Sequence, residues 1–348
     1  MLAAPEVYAV TSYTDVELSA AMGERAQATV EAAGHDNFRV VAGDVTCVES
    51  GWAEEAGLAE GEGLCYLLLM EVLDNLPHDK VELTAAAGDG GGEQESLLAQ
   101  QVVVERGEGE EGFRERAVPL TDALLSRALA VDAEHARLEG AATAAGRERF
   151  PHYGAVGGRG GQAAMLLQGM QQLRGWVDGW LLQRGAPQQR FVPTGALRLL
   201  ETLRHTLPNH VLIAADFDAL PPTSALGEAD GAENAPIVSS SGGKVDHGHY
   251  TQNVGGADIF FATDFRWLAS AYTSVMEDGA DAEVLSSRAF LEMHVNPERT
   301  ETRTGYNPML EDYANTGFFT GHSRAPQRVR GLGAGGSGEG DEPSAKAQ

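Results

Sequence analysis

The sequence is poor in cysteine and in positive charge, and it has no long hydrophobic run. Two cysteines, Cys47 and Cys65, are all that 348 residues contain. Neither sits in a CxxC pair, which excludes a zinc ribbon, an iron–sulfur centre and a disulfide framework. A reducing compartment is the simplest setting for such a chain. Lysine and arginine total 25 against 51 aspartates and glutamates, a formal net charge of −26. That charge repels phosphate backbones and anionic lipid, so no nucleic-acid partner is expected. The longest clean apolar run, 64–70, falls far short of the ~20 residues that a spanning helix needs, so no membrane span is expected. The first residues, MLAAPEVYAV, show neither a signal peptide nor an Arg-rich transit pattern. That leaves a cytosolic chain or a true start further upstream.

What the chain has in quantity is glycine, 43 of 348 residues, well above the usual ~7% and a sign of flexible insertions. Its length suggests about two domains or one large one. Residues 8–18 are rich in β-branched and aromatic types and read as a strand. Ser19 is placed to cap a helix running to Gly34. Residues 38–42 read as a second strand, ahead of the turn at Gly43-Asp44. The run LCYLLLMEV (64–72) suits a strand buried on both faces of a parallel sheet. It ends in Leu73-Asp74-Asn75-Leu76-Pro77. This β–α–β–loop–β order favours a doubly wound α/β sheet. Ligands in such sheets bind outside the carboxyl ends of the strands.

Further along, residues 87–95 and 106–112 read as Gly/acidic loops around the strand LLAQQVVVE. Residues 121–149 read as a helix with Thr121 as cap, and 162–184 as a helix with Trp176 and Trp180 on one face, best read as packing. Residues 154–161 read as a flexible break. A helix starts at Pro193-Thr194. Residues 210–215 form a buried strand running into Asp216. Residues 223–249 read as a long loop, 257–264 as a strand, 265–276 as a helix, and 288–293 as the start of another. From Arg324 on, the composition is that of a disordered tail.

Asp246-His247-Gly248-His249 has metal-ligand residue types. No second cluster completes a site, so a polar loop is the better reading and no metal is expected. A metal hydrolase using His247 and His249 is the weakest functional reading. His78, beside Pro77, is either a general base or a structural turn residue.

Six segments occur in an order that resembles one family: YTDVELSAAMGERAQATV (13–30), LLLMEVLDNLPHDKV (67–81), FVPTGALRLLETL (191–203), NAPIVSS (234–240), GGADIFFATDFRWLASAY (255–272) and PMLEDYANTGFF (308–319). The family is that of the MidA-like S-adenosylmethionine-dependent methyltransferases, which includes mitochondrial complex I assembly factor 7. The resemblance implies an α/β class I methyltransferase (Rossmann-like) sheet with a helical insertion. It implies S-adenosyl-L-methionine as cofactor and type II protein arginine methylation, giving symmetric dimethylarginine. It also implies a mitochondrial location and a role in complex I assembly, with a protein arginine, a complex I subunit among the candidates, as substrate.

The family opens with a strand and an acidic Gly-rich loop. Here the chain starts at what would be the second strand, so an N-terminally truncated sheet is expected. GDGGG (88–92) and GAVGGRGG (154–161) follow no suitable strand and do not replace that loop. The expected division is a cofactor-side α/β half (1–120), a mainly helical insertion (121–190), the C-terminal half of the sheet (191–322) and a disordered tail (323–348).

Within the resemblance, Glu17 ends the first visible strand, where an acidic side chain accepts hydrogen bonds from ribose hydroxyls. Asp44 follows the next strand and suits the adenine amino group, although Asp and Gly are also ordinary turn residues. Glu71, Asp74 and Asn75 lie in the loop that faces the methyl group and the incoming substrate. Carboxylates there suit the five donors of a guanidinium. The family shows an NEF-type sequence at this point, whereas this chain has MEVLDNLP with Met70 at the Asn step. A non-catalytic relative acting as a binding or assembly factor is the alternative reading, favoured by the lack of the Gly-rich loop.

Overall fold

The structure is a computed structural model. It describes residues 5–58, 63–86, 96–107, 112–144, 156–157, 188–220, 232–251, 255–276, 279–296 and 300–323. The chain is a mixed α/β protein. A short helix α1 (Pro5–Tyr8) leads into β1 (Tyr13–Glu17), α2 (Ala20–Ala32) and β2 (Phe38–Ala42). The first strand thus starts later than the sequence suggests, because Tyr8 closes a helical turn. Ser19 caps α2 as expected, accepting from the Met22 amide at 3.4 Å. β1 and β2 pair in parallel, Glu17 opposite Ala42.

A short helix α3 (Trp52–Glu55) precedes β3 (Cys65–Met70). Three strands follow, β4 (Asp79–Ala86), β5 (Ser96–Arg106) and β6 (Phe113–Pro119), then the helix α4 (Ala123–Ala144). Asp122 rather than Thr121 caps α4, its carboxylate accepting from the Leu125 amide at 2.8 Å. After β7 (Val156–Gly157) and β8 (Gln188–Val192) come α5 (Thr194–Thr206) and β9 (His210–Phe217). β10 (Ile237–Ser240), β11 (Val245–Asp246) and β12 (Asp258–Phe260) precede α6 (Phe265–Met276). The chain then forms β13 (Asp281–Ser286), α7 (Ser287–His294), α8 (Pro308–Glu311) and β14 (Thr316–His322).

The central sheet runs β3-β9-β14-β13-β7. β3 and β9 are parallel, and the remaining pairs are antiparallel. A four-stranded antiparallel sheet, β6-β5-β4-β8, stands beside it, β10, β11 and β12 form a small third sheet, and β1 and β2 form a two-stranded sheet of their own instead of joining β3 in one doubly wound sheet. The core lies where α5 and α6 cover one face of the central sheet. α5 buries Leu197, Leu199, Leu200 and Leu203, and α6 buries Trp267, Leu268 and Tyr272. His210 is pinned in this core. Its Nδ1 meets the Leu207 carbonyl at 2.6 Å, so that nitrogen carries the proton, and Nε2 accepts from the Tyr272 hydroxyl at 3.0 Å. Burial lowers the His210 pKa and raises that of Tyr272.

Three expectations are corrected. The run LCYLLLMEV was expected to be buried on both faces, yet β3 is an edge strand. Cys65, Leu67 and Leu69 pack on the core, while Tyr66, Leu68 and Met70 are 65%, 48% and 49% exposed. β9 takes one edge of β3, and no described strand takes the other. The stretch expected as a long loop, 223–249, contains β10 and β11, because β10 pairs antiparallel with β11 on one side and β12 on the other. The strand around 257–264 joins that small sheet, while β13 and β14 complete the central one. Trp176, Trp180, the 88–92 glycines and the tail from 324 lie outside the described residues, as does most of 154–161.

Candidate functional site at the carboxyl ends of β3 and β9

β3 and β9 are parallel neighbours, with Met70 opposite Ala215. β3 is followed at once by an acid, Glu71 after Met70, and β9 carries one next to its last residue, Asp216 after Ala215. The two carboxylates therefore leave the sheet side by side. The Glu71 amide still donates to the Ala215 carbonyl at 2.9 Å. Its backbone then turns left-handed, with φ of 55°. A non-glycine residue in that region is strained by roughly 1–2 kcal/mol, and such strain gathers at functional positions.

The turn beyond is held by Asp216. Its Oδ2 accepts from the amides of Leu73 at 2.8 Å and Asp74 at 3.1 Å, and its Oδ1 accepts from the Phe217 amide at 2.8 Å. Burial, and then the nearby charge of Asp74, push the Asp216 pKa up to about 6. Asp74 is buried too; desolvation, and to a lesser degree the charge of Glu71, raise its pKa. Asn75 donates to Asp74 Oδ1 at 2.6 Å. Glu71, Asp74, Asn75 and Asp216 thus form one acidic cluster. The sequence places the first three there. It misses Asp216 as a site residue, although an acid directly after an apolar run is the signal that Glu71 also carries.

A cavity of about 220 Å³ opens beside the cluster, lined by Met70, Glu71, Asp216, Tyr313 and Phe318 among others. A larger one, about 450 Å³, lies on the Leu73–His78 side of the turn. His78 stacks on Phe261, with ring centroids 3.8 Å apart. Its Nδ1 donates to the Leu76 carbonyl at 2.9 Å, which leaves Nε2 as an acceptor. Burial pulls the His78 pKa down to about 4, so the ring is neutral at physiological pH.

Glu17 and Asp44 lie at and just beyond the carboxyl ends of β1 and β2. Glu17 Oε1 accepts from the Ser19 amide at 2.8 Å. Asp44 Oδ1 accepts from the amide and hydroxyl of Thr46 at 2.8 and 2.7 Å. Each is therefore fixed by one oxygen in a local turn, and the second oxygen has no partner among the described residues. Two preset acceptors at neighbouring strand ends fit a ribose and an adenine amino group, so the residues present suit an adenosyl cofactor. Of the HxH pair, His247 is committed to Ser240 Oγ at 2.8 Å. Among the described residues no group of three or more His, Cys, Asp or Glu could hold a metal. No described helix is long and apolar enough to cross a membrane.

The left-handed backbone at Glu71 yields a direct prediction. Glu71→Gly should stabilise the fold by about 1 kcal/mol, because glycine adopts positive φ without the Cβ clash. The same change should lower turnover by removing a site carboxylate. Denaturant unfolding and kinetics on one preparation check both. A stability gain with unchanged turnover would remove Glu71 from the site.

A family model described as "Putative S-adenosyl-L-methionine-dependent methyltransferase" matches residues 2–279. A crystal structure of an uncharacterized ACR superfamily protein from Burkholderia thailandensis is similar at 16% identity and a TM-score of 0.44. The alignment covers 90% of this chain and 66% of that one, so the chain spans just under two thirds of that relative's length. No curated protein matches. A match over residues 2–279 covers most of the 348 residues, and the chain therefore belongs to this family of S-adenosyl-L-methionine-dependent methyltransferases.

Proposed function

We propose that the protein is a class I, Rossmann-like methyltransferase that acts on arginine side chains of a protein substrate and yields symmetric dimethylarginine. The observation that carries the reading is the convergence of Glu71, Asp74 and Asp216 where two parallel strands end. S-adenosyl-L-methionine supplies an electrophilic methyl group on a sulfonium. Glu71 and Asp74 hold the acceptor guanidinium by charge-assisted hydrogen bonds and aim its nitrogen at the methyl carbon. Bound beside that nitrogen, the cofactor would give up its methyl group to it and be left as a neutral thioether. The nitrogen then releases one proton, for which the carboxylates are the nearest acceptors. Alignment is the main contribution the protein makes to such a transfer. Glu17 and Asp44 hold the ribose and adenine ends of the cofactor.

The family resemblance extends the proposal to complex I assembly in mitochondria, with a complex I subunit as substrate. A second reading, a non-catalytic binding factor, is favoured by the edge of β3 that no described strand covers and by its exposed Tyr66, Leu68 and Met70.

The deciding experiment is incubation of the full chain with methyl-labelled S-adenosylmethionine and arginine-containing peptides, followed by amino-acid analysis. Labelled symmetric dimethylarginine supports the proposal. Cofactor binding without transfer supports the binding factor. Glu17→Ala should weaken cofactor binding in a calorimetric titration by about 1.5–3 kcal/mol, the scale of a hydrogen bond to a charged group. Unchanged affinity would remove Glu17 from the ribose site.

A further inference from the structure

The pairing of β3 fixes where its backbone groups point. The Cys65 amide donates to the Asn209 carbonyl at 3.2 Å, and the Glu71 amide donates to that of Ala215 at 2.9 Å. In a parallel ladder a residue turns its amide and its carbonyl to the same neighbour, so Cys65, Leu67, Leu69 and Glu71 face β9. Tyr66, Leu68 and Met70 therefore aim their amides and carbonyls at the other edge. No described strand and no described backbone group meets them there. The same three residues expose their side chains, as does Leu64 just before them. Soluble proteins usually blunt such an edge with charge, proline or a bulge. Residues 64–70 carry neither charge nor proline.

Charge and register select the occupant of this edge. With a net charge of −26, two copies of the chain repel each other wherever acids face acids. The uncharged stretch 64–70 is a surface on which they do not. Antiparallel pairing of two β3 strands about a two-fold axis at Leu68 sets Leu68 opposite Leu68 and Tyr66 opposite Met70. Each of these pairs exchanges both hydrogen bonds, so every bare edge group of Tyr66, Leu68 and Met70 finds a partner. Glu71 then stands opposite Cys65 and not opposite a second Glu71, which avoids the cost of like charges across a pair. Opposite residues of an antiparallel pair share a face, so the exposed side chains of the two copies merge into one apolar patch.

We propose that the uncovered edge of β3 is the interface of a homodimer, in which residues 66–70 of two copies pair antiparallel and join the two central sheets into one. Such an interface is isologous and consumes the edge it uses, so assembly stops at two. Met70 also lines the cavity of about 220 Å³ beside Glu71. Pairing sets Tyr66 of the partner subunit opposite Met70, so each acidic cluster borders on the other copy. The proposal does not rest on the methyltransferase reading.

The test is sedimentation equilibrium of the full chain. So short a pairing buries little area, and the expected dissociation constant is on the order of 1–100 μM. Across loading concentrations that span this range, the wild type should pass reversibly from monomer to dimer. Leu68→Lys sets two ammonium groups opposite each other across the axis, and Leu68→Glu sets two carboxylates opposite each other. Each variant alone should stay monomeric throughout the range. Mixed in equal amounts, the two variants set Lys against Glu, and the dimer should return. A wild type that stays monomeric would overturn the proposal, and that measurement needs no variant. A dimer that both variants retain would lie on another surface and overturn it too. So would a mixture that stays monomeric, or a wild type that grows beyond a dimer. Leu68 is half-exposed, and an unchanged thermal midpoint shows that each variant folds.

Discussion

Replacing Asp216 by alanine is expected to destabilise the protein by about 3 kcal/mol, because buried donors left without an acceptor cost about 1–3 kcal/mol each. Two of those donors are the amides of Leu73 and Asp74, which depend on Asp216 Oδ2. Freed of it, the turn no longer holds Asp74 beside Glu71, so turnover should fall further than the loss of folded protein explains. Asp216→Asn should cost less, since it keeps one acceptor oxygen. The two variants also differ from the wild type in pH dependence. Asp216 binds its proton more tightly in the folded state, with a pKa of about 6 against the ordinary 3.8. Its contribution to stability is therefore complete below about pH 4 and is lost as pH rises through 6. At 1.36 kcal/mol per unit, that swing is on the order of 3 kcal/mol. Denaturant unfolding between pH 4 and 7 should show the decline in the wild type, and a smaller one in Asp216→Asn. Parallel curves would mean that Asp216 is not the titrating group.

Gly195→Ala is expected to be the most damaging addition of a single methyl group near the site. A Cβ at this position would lie 2.7 Å from the Pro77 ring, 2.7 Å from the Pro77 carbonyl oxygen and 2.8 Å from its nitrogen. The Gly195 amide also donates to that carbonyl at 2.7 Å. The start of α5 is thus packed directly on the backbone of the site turn, where no side chain can rotate aside. Overpacking of this kind costs about 1–3 kcal/mol, and rigid neighbours place it at the upper end. Relief comes by pushing Pro77 away, which shifts the turn, so activity per folded molecule should fall with stability. Gly321→Ala is the control. Its Cβ would meet Tyr272 at 2.7 Å and Phe319 at 2.8 Å, but Gly321 pairs with Leu212, far down the sheet from Asp216. It should lose comparable stability and keep its activity per folded molecule. Equal activity losses in both variants would show that the turn is not specifically coupled to α5.

Much of the local structure is legible in the residues. The apolar spacing of Leu197, Leu200 and Leu203 marks α5, and Ser19 marks the start of α2. HVLIAA marks a buried strand, which runs on through Asp216 to Phe217. The candidates Glu17, Asp44, Glu71 and Asp74 can be found because acids at strand ends stand out against apolar runs. The face that β3 leaves exposed is not legible. LCYLLLMEV is apolar on both faces, and only what packs on its second face decides the burial of Tyr66, Leu68 and Met70. The antiparallel pair β13 and β14 escapes notice because DAEVLS and TGFFTGH are short and mixed in pattern. Their pairing spans from Asp281 to His322.

By itself the sequence determined the charge of the molecule, the periods of its main helices and strands, the Ser19 cap of α2, and the acids at the ends of β1 and β3. These depend on neighbours a few residues away. The tertiary structure alone decided that Asp216 reaches across 143 positions to hold the turn at Leu73, and that Gly195 lies against Pro77. It also decided that Glu233 and Asp264 line one cavity with Leu73 and His78. Each of these contacts joins groups distant in the chain, and which strands become neighbours is fixed by packing the whole core.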